Sequence, residues 1–366
     1  MTYARPVAGP SIESVEVEIL ADPHNPQLLV RVSGSDGEVG TGETWWGTYQ
    51  PASLPGTPVL PIGVVIDSLL APLVVGSPCD SVADIESIWA RMFRATLQYG
   101  HEGIISTAMS GIDLALWDLL GRRLGRPVAD LLGTRRPDVP AAYASLTWLG
   151  DVERVCIDAG RALDAGFAAV KLHEADPVLI NEVRRRLGSD VTLMVDASAR
   201  FDEAGALSAA AALADARLEW FEEPVFPQTD HDALARVRRR APMPIAAGEN
   251  EFSVPGLQRL LDSGAVDILQ PEVVKLGGLT PARELAARAA RAGVPLCPHN
   301  YSLGPSLLAN LHWAAVTPEV RWVEVPWLSE GGSFPCGMPM PELVDGRMQL
   351  PADPGLGFSP KSAKPT

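Results

Sequence analysis

Two different periodicities of apolar and polar residues divide this chain. Between residues 11 and 46, SVEVEIL and LLVRVSG alternate strictly, as half-buried strands do, and GSDGEVGTGE supplies the turn of an antiparallel arrangement. Residues 47–60, GTYQPASLPGTPVL, are rich in Pro and Gly and read as a loop. IGVVIDSLLAPLVV and SVADIESIWARMFRAT then carry apolar residues at helical spacing, the second after a Ser81 or Asp80 cap. The strongest helix is GIISTAMSGIDLALWDLLGRRLG, apolar over a broad face and ending at a glycine.

From about residue 140 the texture changes. Strand-like runs YASLTW, AAVKL, VTLMVD, LEWFE, PIAAG, VDILQ, VPLCP and RWVEV alternate with amphipathic helical segments such as DPVLINEVRRRLG and TPARELAARAARAG. Eight strands with seven intervening helices predict an α/β fold, a (β/α)8 barrel of TIM type with an atypical last unit. Residues 326–366 are again Pro/Gly-rich and are expected to return to the N-terminal part, with PKSAKPT as a frayed tail.

Six polar residues close or follow successive runs: Asp196, Glu222, Glu249, Glu272, His299 and Glu324. Their steps are 26 (196 to 222), 27 (222 to 249), 23 (249 to 272), 27 (272 to 299) and 25 (299 to 324). Each step is one strand-plus-helix unit, so the six converge on one rim of the barrel, the C-terminal rim where such folds carry their chemistry.

Composition narrows the function. The chain has 366 residues, enough for a large core and two domains, and is 46% hydrophobic. A net charge of −15 argues against bulk attraction to nucleic acid or to an anionic membrane. It leaves room for a small anionic substrate, because a bound metal can dominate the local field. No apolar stretch reads as long enough to cross a membrane, and MTYARPVAGPS lacks the apolar core of a signal peptide. Cys79, Cys156, Cys297 and Cys336 are scattered, and are expected to be free thiols of a cytoplasmic protein.

A single acid at a strand end is often a helix cap. Asp196, Glu222 and Glu249 in three consecutive units are better read as ligands of one ion, and an all-oxygen set suits Mg2+ or Mn2+ rather than zinc. Lys171 and His173 end the second strand two residues apart, so both point into the site. Glu272 and His299 end strands six and seven, and a carboxylate beside an imidazole suits a general base. At the end of strand eight, crowding among carboxylates would keep Glu324 protonated, a donor to the substrate. Lys275 lies three residues past Glu272, where it either meets substrate or balances charge. Trp45, Trp46 and Tyr49 sit in or beside a loop and either stack on a sugar face or pack a domain. His312, within a helical run, reads as structural.

The pieces AVKLH, LMVDAS, WFEEP, AAGEN, QPEVVKLGG, CPHN and WVEV, with SGIDLALWDLLGRRLGRPV before them, resemble the enolase superfamily of mandelate racemase type over nearly the whole chain. The resemblance implies an α+β capping domain built from residues 1–135 and a C-terminal segment, 326–366, around a barrel at 136–325. It implies Mg2+ on Asp196, Glu222 and Glu249, and a substrate carboxylate whose α-proton is removed to give an enediolate. Lys171 would then polarise that carboxylate, residue 173 would serve one face, His299–Glu272 the other, and Glu324 would hydrogen-bond the carboxylate. The muconate-lactonizing branch has lysine where Glu272 stands and is disfavoured. Two departures matter: position 173 is His where Lys is usual, which weakens a two-base racemase, and the dyad acid is Glu rather than Asp.

An acid-sugar dehydratase acting on an aldonate or aldarate fits this pattern best. A sugar-lactone cycloisomerase or a 2-hydroxy acid racemase is the alternative, and a non-catalytic sugar-acid binder is least favoured. The expected partner is a small sugar acid or its lactone, and the family suggests a homo-oligomer.

Overall fold

The fold is seen in a computed structural model of the chain, which describes residues 9–20, 22, 26–45, 61–328 and 334–358. Trp46 and Tyr49 lie outside the described residues, as does the loop expected at 47–60.

Three antiparallel strands open the chain: β1 (Ile12–Leu20), β2 (Gln27–Gly34) and β3 (Val39–Thr44). The third strand falls where the sequence reads as a turn. Its glycines exist for packing: a Cβ on Gly40 would lie 2.1 Å from the Ala115 carbonyl oxygen, and one on Gly42 2.2 Å from that of Gly111. The helix Ile104–Arg123 thus runs almost in backbone contact with β3. Ser81 caps the preceding helix, Val82–Ala95, by accepting from the Asp84 amide.

The 20-residue helix Ile104–Arg123 is long and apolar enough to cross a membrane, contrary to the reading of its sequence. It is instead enclosed by protein, with 94% of its apolar window buried. Two buried acids make it a joint. Asp118 accepts from the Thr41 amide (2.8 Å), the Leu356 amide (2.7 Å) and Arg122 Nε (2.8 Å). Asp113 accepts from the Thr280 amide (3.0 Å) and hydroxyl (2.5 Å). Asp118 ties the N-terminal sheet to the returning C-terminal segment, and Asp113 ties the same helix to the barrel.

The barrel strands are β4 (Ala141–Leu146), β5 (Ala169–Leu172), β6 (Thr192–Asp196), β7 (Phe221–Glu222), β8 (Ile245–Ala247) and β9 (Ile268–Leu269), neighbours in that order and parallel. β10 (Trp322–Trp327) pairs in parallel with β4. The seventh run, VPLCP, forms bridges rather than a full strand: Leu296 bridges both Leu269 and Val320 and closes the ring. Pro295 and Pro298 have no N–H to give a ladder, which accounts for the interruption. After β10 the hairpin β11 (Leu343–Val344) and β12 (Arg347–Met348) meets the start of β4 through Arg347 and Ala141.

The inside of the barrel is layered. Tyr143, Ala169, Met194, Trp220, Ala246 and Cys297 form one buried apolar cluster. Two residues on, and therefore on the same inward face, stand Ser145, Lys171, Asp196, Glu222 and His299. The apolar layer is a floor, and the polar layer above it opens to the C-terminal rim.

Candidate active site

Carboxylate oxygens of Asp196, Glu222 and Glu249 lie within 4.8 Å of one another, and all three residues are buried. Mg2+ is a hard cation that takes oxygen ligands, so three carboxylates gathered this closely could hold it. The donor chemistry fits that ion. Glu222 receives only donors: Lys171 Nζ at 2.7 Å, Trp220 Nε1 at 2.9 Å and Gln270 Nε2 at 2.7 Å. Burial, offset in part by Lys171, pushes its pKa up to about 7. Its three donors favour the ionised form, against burial and the neighbouring carboxylates of Asp196, Glu324 and Glu249.

Lys171 is fully buried between Glu222 (2.7 Å) and Glu324 (2.8 Å), with Asp196 at 3.9 Å. Burial alone would lower its pKa, but Glu222, Glu324 and Asp196 outweigh burial and hold it well above the usual lysine range. This corrects the expectation for Glu324. Burial raises that carboxyl, yet Lys171 and then His299 bring it below its ordinary value, and Lys171 Nζ at 2.8 Å favours its anion. It also accepts from the Asn300 amide at 3.2 Å.

The two imidazoles share one arrangement. His299 Nδ1 lies 2.6 Å from Glu272 Oε2, and its Nε2 lies 2.9 Å from Glu249. His173 Nδ1 donates to the Leu146 carbonyl, and its Nε2 lies 3.2 Å from Asp196. In each ring an acceptor at Nδ1 orients the imidazole and leaves Nε2 facing a carboxylate of the triad. Burial opposes protonation of both. Glu249 and Glu324 nevertheless raise His299 well above the ordinary imidazole range, and Asp196 raises His173 above it.

A cavity of about 720 Å3 lies over this floor. Asp196, Glu249, His173, His299, Glu324 and Trp45 line it. Lys171, Glu222 and Glu272 are buried beneath or behind the lining. Lys275 does not line it. That lysine is 3.8 Å from Glu249, 3.4 Å from Asn250 Oδ1 and 4.7 Å over the Trp45 ring, which places it as a balancing charge. Trp45 itself stands edge-on to Tyr301, centroids 4.5 Å apart.

Several groups at the site were not singled out from the sequence. Trp220 and Gln270 orient Glu222, and the strand period that finds Lys171 and His173 also points both of them inward. Glu223 is buried at the cavity wall with φ of 39°, and accepts from Asn250 Nδ2 at 2.8 Å. Burial, with Glu249 and Asp196 beside it, pushes its carboxyl well above the usual range. Ser198 (φ 48°) and Ala199 (φ 53°) are likewise left-handed, so strained backbone gathers around the triad.

Known proteins match this chain along most of its length. Residues 10–133 match the family described as mandelate racemase / muconate lactonizing enzyme, N-terminal domain, and residues 155–364 match the description enolase C-terminal domain-like. The chain is 34% identical to a D-galactarolactone cycloisomerase of Agrobacterium fabrum over 349 residues, 90% of this chain and 88% of that protein. It is 34% identical to an L-rhamnonate dehydratase of Saccharopolyspora erythraea over 341 residues, 90% of this chain and 82% of that protein. The structure of an L-talarate dehydratase from Polaromonas sp. JS666, complexed with Mg and L-glucarate, superposes with a TM-score of 0.81 at 26% identity, covering 97% of this chain and 96% of that one.

Proposed function

We propose, given that the chain belongs to the mandelate racemase / muconate lactonizing enzyme family of the enolase superfamily, that it removes the α-proton of a sugar-acid carboxylate and eliminates a β-substituent. The observation that carries this is the pair of imidazoles, each with Nδ1 at an acceptor and Nε2 beside a carboxylate of the acidic triad. The relatives' action on sugar acids and lactones, and a neighbour's Mg with L-glucarate, support the substrate class and the ion.

Asp196, Glu222 and Glu249 would hold Mg2+, whose charge stabilises the substrate carboxylate and the enediolate formed from it. Lys171 adds fixed positive charge to the same floor. A cation held on Glu249 would relieve the charge that keeps His299 protonated; its Nε2 would then take the α-proton, with Glu272 stabilising the imidazolium. His173 Nε2–H gives its proton to the departing β-hydroxyl, which leaves as water, so the net reaction is dehydration to an enol that becomes a 2-keto acid. Glu324 accepts hydrogen bonds as a carboxylate and keeps Lys171 charged. If the leaving oxygen belongs to a lactone ring, the same two proton transfers open the ring without loss of water; similarity to the cycloisomerase of Agrobacterium fabrum supports this second reading.

Domain limits of 1–135 and 326–366 for the cap and 136–325 for the barrel, a cytoplasmic location and a homo-oligomeric assembly belong to the same proposal. The test is a proton-NMR screen of aldonates, aldarates and their lactones with and without Mg2+. Mg2+-dependent formation of a 2-keto acid is expected; lactone isomerisation without dehydration would favour the second reading, and no reaction with any of them would overturn both.

A further inference from the structure

We propose that Arg200 receives a second carboxylate at the far end of the substrate, so that the enzyme prefers sugar diacids to the corresponding monoacids. This rests on the sugar-acid reading above and narrows its substrate.

The main chain around Arg200 is fixed on both sides. After Asp196 the backbone passes through two consecutive left-handed residues, Ser198 (φ 48°) and Ala199 (φ 53°). The Ser198 amide donates to Asp196 Oδ1 at 2.6 Å, and the Ala199 amide to the Glu223 carbonyl at 2.7 Å. The Phe201 amide donates to the Pro224 carbonyl at 3.2 Å, and the Phe201 carbonyl accepts from Phe226 at 2.7 Å. A strained turn locked in this way directs the one residue between the locks.

That residue lines the same cavity as the triad, and its side chain is exposed. Among the described residues the Arg200 guanidinium has no ion pair or hydrogen bond. The other cationic groups at the site are committed: Lys171 to Glu222 and Glu324, Lys275 to the side of Glu249 and Asn250, His173 to Asp196 and His299 to Glu249 and Glu272. The wall otherwise presents Asp196, Glu223, Glu249 and Glu324. Away from the two imidazoles at the triad, Arg200 is the cation that the described lining offers to a second carboxylate. A guanidinium matches a carboxylate with two parallel hydrogen bonds, whereas a neutral hydroxymethyl end offers it little. Gln228 and Ser198 line the cavity as well and can hydrogen-bond hydroxyls between the two ends.

The test compares wild type with Arg200→Gln, full chain with Mg2+, on galactarate and D-glucarate against galactonate and D-gluconate. Both α-proton exchange in D2O and binding by calorimetry are read. A charge-assisted contact of this kind predicts that the variant raises KM and Kd for the diacids about 30-fold, with kcat within about twofold and the monoacid constants unchanged. Arg200→Lys should recover part of the loss. Wild type that shows no preference for diacids, or a variant that weakens both classes equally or neither, overturns the inference. If no acid exchanges its α-proton, the proposed reaction fails, and calorimetry alone decides whether Arg200 selects diacids.

Discussion

His299 reaches Glu272 through Nδ1 across 2.6 Å, and that contact determines which nitrogen of the ring can work. Glu272 is fully buried and also caps the turn that follows it, accepting from the Val274 amide at 3.2 Å. Glu272→Gln keeps the shape but loses the charge that stabilises an imidazolium. We expect kcat to fall about 100-fold, and His299→Asn to fall 1,000-fold or more, with Mg2+ binding retained in both. Steady-state rates beside calorimetric Mg2+ titration check this; equal loss of metal binding would reduce the dyad to a structural role.

The proposed Mg2+ site on Asp196, Glu222 and Glu249 has its own signature. Three buried carboxylates repel one another until a cation joins them, so Mg2+ should raise the melting temperature. At 100 times Kd the gain is about 2.7 kcal/mol, and it should vanish in Glu249→Gln. Thermal melts across a Mg2+ series measure it.

Asp118 joins the N-terminal sheet, the long helix and the returning segment through three hydrogen bonds. Asp118→Asn turns one acceptor into a donor facing an amide N–H, and weakens the pair with Arg122. A loss of about 2–4 kcal/mol is expected, read by urea unfolding, with little change in KM for any protein that remains folded.

His312 sets a pH dependence of stability. Its Nδ1 accepts from the Ala129 amide at 3.1 Å and its Nε2 faces the Leu356 carbonyl at 3.2 Å, so a second ring proton would oppose an N–H. Burial lowers its pKa from the usual 6.5 to about 4. Below pH 6.5 the unfolded chain takes up a proton that the folded chain refuses until about 4. Stability is therefore complete above 6.5 and falls between 6.5 and 4, by an amount on the order of 3 kcal/mol. His312→Gln should cost stability at pH 8 but lose this part of the slope, so the gap between variant and wild type narrows as pH falls.

The ladder from Asp196 to Glu324 was legible because period-2 strands and 25-residue units leave only one rim where such residues can meet. That Asp196, Glu222 and Glu249 meet, that Glu272 faces His299, and that Lys171 and His173 reach the triad all follow from that geometry. The ionisation of Glu324 did not, since it depends on Lys171 lying between two carboxylates on different strands. β3 was hidden for a related reason: Gly40 and Gly42 look like turn residues until the helix that needs their missing side chains is known. The turn that aims Arg200 depends on left-handed Ser198 and Ala199, residue types that do not advertise that conformation.

The central claim is proton abstraction from carbon next to a carboxylate. It is tested most directly by incubating the protein with sugar acids in D2O and following the α-proton by NMR, with Mg2+ and after its removal by chelation. The account predicts deuterium at the α-carbon or loss of that centre by dehydration, only with Mg2+ present, and lost in His299→Asn. Unchanged α-proton signals across the sugar acids in the presence of Mg2+, or exchange that His299→Asn leaves intact, would contradict it.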